Sequence, residues 1–160
     1  MKKKLIKYFD KVLIGLMAAT GLFSGCETVV EYGTPTADYE ITGTVTDSIT
    51  AQPVQNARVI VTLTRSHDEP DTTVIIVDTL ASTMTDLSGK YDIQFKEFPL
   101  EEVSFKLKVS DEDGVANGGD FASHEKTVVF KRTDLQGKKS NWYDGKAVKT
   151  QDIKLQPESK

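Results

Sequence analysis

The chain has 160 residues, 38% of them hydrophobic, and a formal net charge of −4 from 20 basic and 24 acidic side chains. That length allows one domain, and the balance argues against nucleic acid as a partner. A single cysteine excludes an internal disulfide and a multi-cysteine zinc site.

The first 25 residues read as a secretory leader. Lys2, Lys3, Lys4, Lys7 and Lys11 form a positive start, and the apolar run Val12 to Phe23 follows. That run is well short of the ~20 residues a membrane-spanning helix needs. Without those five lysines and Asp10, the remainder holds 15 basic and 23 acidic residues, a balance of −8. Such a surface would not adsorb to anionic lipid by charge. At the end of the leader stands Phe23-Ser24-Gly25-Cys26, whose small residues leave an uncrowded backbone before the one thiol. The stretch resembles the lipobox of bacterial lipoproteins, with Phe23 where leucine is usual. The resemblance implies cleavage between Gly25 and Cys26, a lipidated Cys26, and palmitate-type acyl chains as the membrane anchor. Two or three chains would hold stably, since each buried methylene is worth about 0.8 kcal/mol. The expected location is the bacterial cell envelope, at the outer membrane on its periplasmic or surface face.

Residues 26–38 read as the lipidated start and a tether, with Gly33 and Pro35 and no sustained period. From Tyr39 the pattern changes. Tyr39, Ile41, Gly43 and Val45 alternate with Glu40, Thr42, Thr44 and Thr46, as a half-buried strand requires. Asp47-Ser48 to Pro53 predicts a turn. Ala57, Val59, Val61 and Leu63 give a second strand, and Arg65–Asp71 reads as a charged loop. Thr72 to Val77 is β-branched throughout and continues as strand or ribbon towards Thr85. Asp86-Leu87-Ser88-Gly89 predicts a turn. Tyr91, Ile93 and Phe95 alternate after it, and Val103, Phe105, Leu107 and Val109 form the cleanest stripe. Thr127–Lys131 and Ile153–Leu155 supply the last strands.

No part of this region carries a helical period. The expectation is an all-β fold: an antiparallel Greek-key β-sandwich of about seven strands, transthyretin- or Ig-like, over residues 39–156, preceded by a helical signal peptide and followed by a tail at 157–160. Two passages sharpen it. Gly43-Thr44-Val45-Thr46-Asp47 with Gln52-Pro53-Val54 and Ala57-Arg58-Val59, and then Thr85-Asp86-Leu87-Ser88-Gly89-Lys90-Tyr91, resemble carboxypeptidase-regulatory-like, transthyretin-like domains. Gly43 would allow close sheet packing, Pro53 would stiffen its loop, and Gly89 would turn Tyr91 into the core. That resemblance speaks to fold and is nearly silent on function.

A wider resemblance covers almost the whole chain. Lys3 to Lys11, Glu31-Tyr32-Gly33-Thr34-Pro35-Thr36-Ala37-Asp38-Tyr39, the loop Asp113-Gly114 through Asn117-Gly118-Gly119-Asp120-Phe121, and Trp142-Tyr143-Asp144-Gly145 are similar to the radical-SAM-associated lipoproteins. The resemblance implies a lipid-anchored β-domain encoded beside a radical SAM enzyme, which makes that enzyme a candidate partner. A cysteine thioether crosslink in the mature domain is not expected, because the only cysteine is Cys26, whose sulfur the lipid would occupy.

Candidate sites are few. Asp111, Asp113 and Asp120 lie in a glycine-containing loop with the oxygen ligands Ca²⁺ takes, but not at EF-hand spacing. A solvated loop is the plainer reading. His67 and His124 stand beside acids in expected loops, where surface histidine is the plainer reading. Glu101-Glu102 lacks the opposed geometry of glycosidase carboxylates. No nucleophile elbow or phosphate-cradling loop occurs. Trp142 and Tyr143, within the polar stretch Lys138–Lys146 that reads as a loop, could stack on a sugar, meet a partner, accept a modification, or cap the sandwich end. The expectation is a non-enzymatic, cofactor-free envelope protein presenting its β-sandwich as a structural or interaction module. The alternatives are a glycan- or Ca-binding surface module and a substrate of a radical SAM modifying enzyme.

Overall fold

The computed structural model describes residues 33–69 and 72–158. By contacts the chain divides at Gly33/Thr34, and the strands belong to the second unit, Thr34–Lys160. The leader, its expected helix, Gly25 and Cys26 lie outside the described residues.

Among the described residues there are eight strands: β1 Thr36–Asp47, β2 Ala57–Glu69, β3 Thr72–Met84, β4 Lys90–Glu97, β5 Glu102–Asp111, β6 His124–Lys131, β7 Tyr143–Thr150 and β8 Ile153–Leu155. They form two sheets, one ordered β4-β1-β7 with β8 also on β1, the other β3-β2-β5-β6. The expected β-sandwich is therefore present, with the chain passing between sheets after β1, β3, β4 and β6.

The inward faces follow the alternation in the sequence. Tyr39, Ile41 and Val45 of β1 are buried, as are Val59 and Val61 of β2, Ile93 and Phe95 of β4, and Phe105 and Leu107 of β5. At the centre, Phe105 packs edge-on against Tyr39 at 5.1 Å, Phe95 at 4.7 Å and Phe130 at 5.8 Å between ring centroids. Edge-to-face rings add attraction beyond their buried area. Burial, the largest cause, raises the Tyr39 hydroxyl pKa above its usual value.

Three expectations need correction. The sheets are not wholly antiparallel: β7 and β8 both run parallel to β1. Together they act as one interrupted strand along it, which the long connections before β7 make feasible. The stretch Arg65–Asp71 is not a loop throughout, because β2 continues to Glu69, paired with Thr72. That distal ribbon is carried by β3 pairing and not by burial, so no inward stripe marks it. Finally, Tyr143–Lys146 belongs to β7 and not to a loop.

The break between β7 and β8 explains Gly43. A β-carbon there would sit 2.1 Å from the Gln151 carbonyl oxygen. Gln151 donates its N–H to Thr42 O at 2.7 Å, and Tyr91 Oη donates to Gln151 O at 2.5 Å. The Thr85–Tyr91 stretch packs on the Gly43–Val59 stretch. Thr85 Oγ1 donates to Val54 O at 2.8 Å and accepts the Ala57 N–H at 2.9 Å. Gly89, at φ 70°, accepts the Val45 N–H at 2.8 Å.

Candidate functional site

One end of the sandwich collects the unusual surface, the end where β1 starts. Thr36 lies opposite Tyr143 of β7, and Ala37 opposite Glu97 of β4. Phe98 therefore follows on one side of the β1 start and Trp142 precedes on the other. Two strand spacings separate them, about 10 Å. Thr36 donates its N–H to Trp142 O at 3.1 Å, which fixes the backbone beneath the indole. Phe98 is 47% exposed, Trp142 48% and Leu100 57%.

The two neighbouring aromatic residues have different roles. Tyr143 Oη donates to Asp38 Oδ2 at 2.8 Å. That hydrogen bond, ahead of burial, raises its hydroxyl pKa. Tyr143 thus ties β7 to β1, while Trp142 presents half its surface to solvent.

Ion pairs hold this end in shape. Asp144 is buried between Arg132 Nη2 at 2.5 Å and Lys138 Nζ at 3.0 Å. The hydrogen bond from Lys138 is the first cause that holds its carboxyl below the usual range, opposed by desolvation and aided by Arg132. Arg132 Nη1 also donates to Pro99 O at 3.4 Å, linking the Phe98–Leu100 loop to β7. Gln136 and Lys146 exchange backbone hydrogen bonds at 2.9 and 2.8 Å, so Lys138–Lys146 is a closed excursion. Across the sheets, Arg65 of the ribbon bridges Glu97 Oε2 and Asp78.

The aspartates that suggested a calcium loop lie at the opposite end. Asp111 accepts the N–H groups of Asp113 at 3.1 Å and Phe121 at 3.2 Å. Burial, its largest influence, raises its pKa. Asp113 Oδ2 accepts from Asn56 at 3.3 Å, and the Asp120 carbonyl accepts the Glu158 N–H at 2.8 Å. The three aspartates brace a turn. Among the described residues no group of three or more His, Cys, Asp or Glu side chains could hold a metal ion. His67 and His124 sit on β2 and β6 and not in loops. His124 is exposed beside a polar hollow shared with Thr44, Lys126 and Asp152. A second open hollow of 540 Å³ is lined by Gly43, Lys90, Tyr91, Asp92 and Asp152. Its Tyr91 and Asp152 are engaged with backbone groups, the latter accepting the Thr44 N–H at 2.9 Å. No helix among the described residues is long and apolar enough to cross a membrane.

Sequence reasoning singled out Trp142 and missed Phe98, Leu100 and Asp144. Phe98 and Leu100 flank a proline in a connection, where no period signals exposure or burial. Asp144 looked like one more acid in a polar stretch.

No family model matches the chain, and no curated protein matches it. Among solved structures, it is similar to the C-terminal domain of shaft pilin spaA from Lactobacillus rhamnosus GG, at 14% identity over 76% of this chain and 98% of that one, with a TM-score of 0.39. It is also similar to a 9R-lipoxygenase from Cyanothece PCC8801, at 15% identity over 97% of this chain but 24% of that one, with a TM-score of 0.33. Both likenesses are too distant to bear on function.

Proposed function

We propose that the chain is a lipid-anchored protein of the bacterial envelope, of the radical-SAM-associated kind, whose β-sandwich is a non-enzymatic structural or interaction module. The observation that carries the reading is Cys26, the only cysteine, placed after Ser24-Gly25 behind a basic and apolar leader. The sandwich is consistent with it: of the aspartates that suggested chemistry, Asp111 accepts two backbone N–H groups and Asp113 accepts from the Asn56 side chain. A scaffold with its polar groups so engaged supports presentation more readily than turnover.

Intact-mass spectrometry of the native protein tests the anchor. Cleavage before Cys26 with acyl mass on that residue is expected, as is globomycin sensitivity. A Cys26→Ala variant that partitions to membranes as well as the native protein would refute it. The radical SAM link is tested by peptide mapping with and without the neighbouring enzyme. A loss of two hydrogens within Lys138–Lys146 would mark the protein as substrate, and identical masses throughout would leave it as a co-encoded companion.

A further inference from the structure

We propose that the β1-start end of the sandwich is a bilayer-docking surface, with Phe98, Leu100 and Trp142 entering the lipid interface. This deepens the lipid-anchor reading and rests on it. The first argument is reach. Thr36 stands ten residues after Cys26, and an extended chain of that length spans at most about 35 Å. The chain joins the sandwich between Phe98 and Trp142, so an anchor at Cys26 brings this end, before any other, to the membrane.

The second argument is chemistry. Of the exposed large hydrophobic side chains, Phe98, Leu100 and Trp142 cluster here, and the β2–β3 ribbon brings Val74, Ile75, Ile76 and Val77 to the same end. The ribbon is referenced to this end by Arg65, which bridges Glu97 at the close of β4. Tryptophan favours the headgroup level, where its ring is buried and its N–H stays wet. The third argument is charge. Asp144 is neutralised by Arg132 and Lys138, and Glu97 by Arg65, so two of the acids at this end enter no repulsive exposure. Glu101 remains exposed at this end. Insertion is therefore shallow and driven by apolar contact rather than by attraction to anionic lipid.

The chain holds one tryptophan, which makes Trp142 the probe. The full native lipoprotein is reconstituted into phosphatidylcholine vesicles, with or without dibrominated acyl chains, and floated to check anchoring. Docking predicts a blue-shifted Trp142 emission in the plain vesicles and a marked loss of emission in the brominated ones. The paired change Phe98→Ser with Leu100→Ser should weaken that quenching, whereas Leu87→Ser with Val115→Ser, at the other end, should not. Floating protein with unquenched Trp142 overturns docking and leaves the anchor standing. Protein that neither floats nor quenches overturns both. Trp142 shielded from acrylamide but untouched by bromine, with copies that crosslink, would mean that a second copy covers the surface, and overturns docking. Equal quenching in both paired variants would place the lipid contact elsewhere and do the same.

Discussion

Replacing Gly43 by alanine should weaken the sandwich severely, because the new methyl would meet backbone. The added carbon would lie 2.1 Å from Gln151 O, 2.7 Å from Gln151 C and 2.9 Å from Tyr91 Oη. Carbon and its neighbours rest at about 3.5 Å, so the β7–β8 break must retreat by about 1 Å. Three hydrogen bonds depend on that approach: Gln151 N–H to Thr42 O at 2.7 Å, Tyr91 Oη to Gln151 O at 2.5 Å, and Thr44 N–H to Asp152 at 2.9 Å. Weakening them costs about 1 kcal/mol each. Overpacking adds about 1–3 kcal/mol, and the lower backbone entropy of alanine returns about 0.5–1 kcal/mol. The net loss is about 3–5 kcal/mol, a large part of the 5–15 kcal/mol typical of a domain of this size. Urea unfolding of the full chain, followed by circular dichroism, measures it. Adding Tyr91→Phe should not rescue the variant, because the closest clash is with backbone. A loss under about 1 kcal/mol, or rescue by Tyr91→Phe, would refute this account.

Phe105→Ala should cost about 4 kcal/mol, since the ring is fully buried among Tyr39, Phe95 and Phe130, and denaturant melts should show it. Thr85→Val removes the hydroxyl that serves Val54 O and Ala57 N–H, leaving two buried groups unpaired at about 1–3 kcal/mol each, whereas Thr85→Ser should stay within about 1 kcal/mol of the parent. Asp144→Asn should destabilise at pH 7. The Asp144 carboxyl has its pKa lowered, so its contribution is present above the unfolded value of about 3.9 and is lost as pH falls through the lower folded value. The gap between parent and variant in urea midpoint should therefore close below about pH 4, and a gap constant with pH would contradict the ion-pair account.

The strands that bury one face were legible because burial writes itself as alternation. Val103, Phe105, Leu107 and Val109 are all buried, while Ser104, Lys106 and Lys108 between them are exposed. β7 was not legible, because its one fully buried apolar residue is Ala147. It is recruited by hydrogen bonding along β1, which leaves no compositional trace. The distal ribbon was half legible: β-branched residues marked Thr72–Val77, but the charges of Arg65–Glu69 resembled a loop, since both ribbon faces meet water. At the candidate site Trp142 was visible as a lone aromatic in polar sequence. Its neighbour Phe98 became significant only when β4 and β7 were seen to flank the same end of β1, a relation between residues far apart in the chain.

Asp111, of the loop that suggested calcium, is one of several aspartates spent on turns inside the fold. Asp47 accepts from Ile49 N–H at 2.8 Å and from the Thr50 hydroxyl, Asp86 from the Ser88 and Lys90 N–H groups at 2.8 and 2.9 Å, and Asp111 from those of Asp113 and Phe121. All three cap turns at the end opposite Trp142. A cation at Asp111 would have to compete with two backbone donors, each costing about 1–3 kcal/mol if left unpaired. The consequence can be measured. A site with a dissociation constant of 1 mM would stabilise the folded state by about 1.4 kcal/mol at 10 mM calcium. Engagement of Asp111 by its own loop predicts no such gain, so the urea midpoint should be the same in calcium and in magnesium at equal ionic strength. A calcium-specific rise that disappears in Asp111→Asn would show that the loop opens to admit the ion, and would overturn the assignment of these carboxylates to turn capping alone.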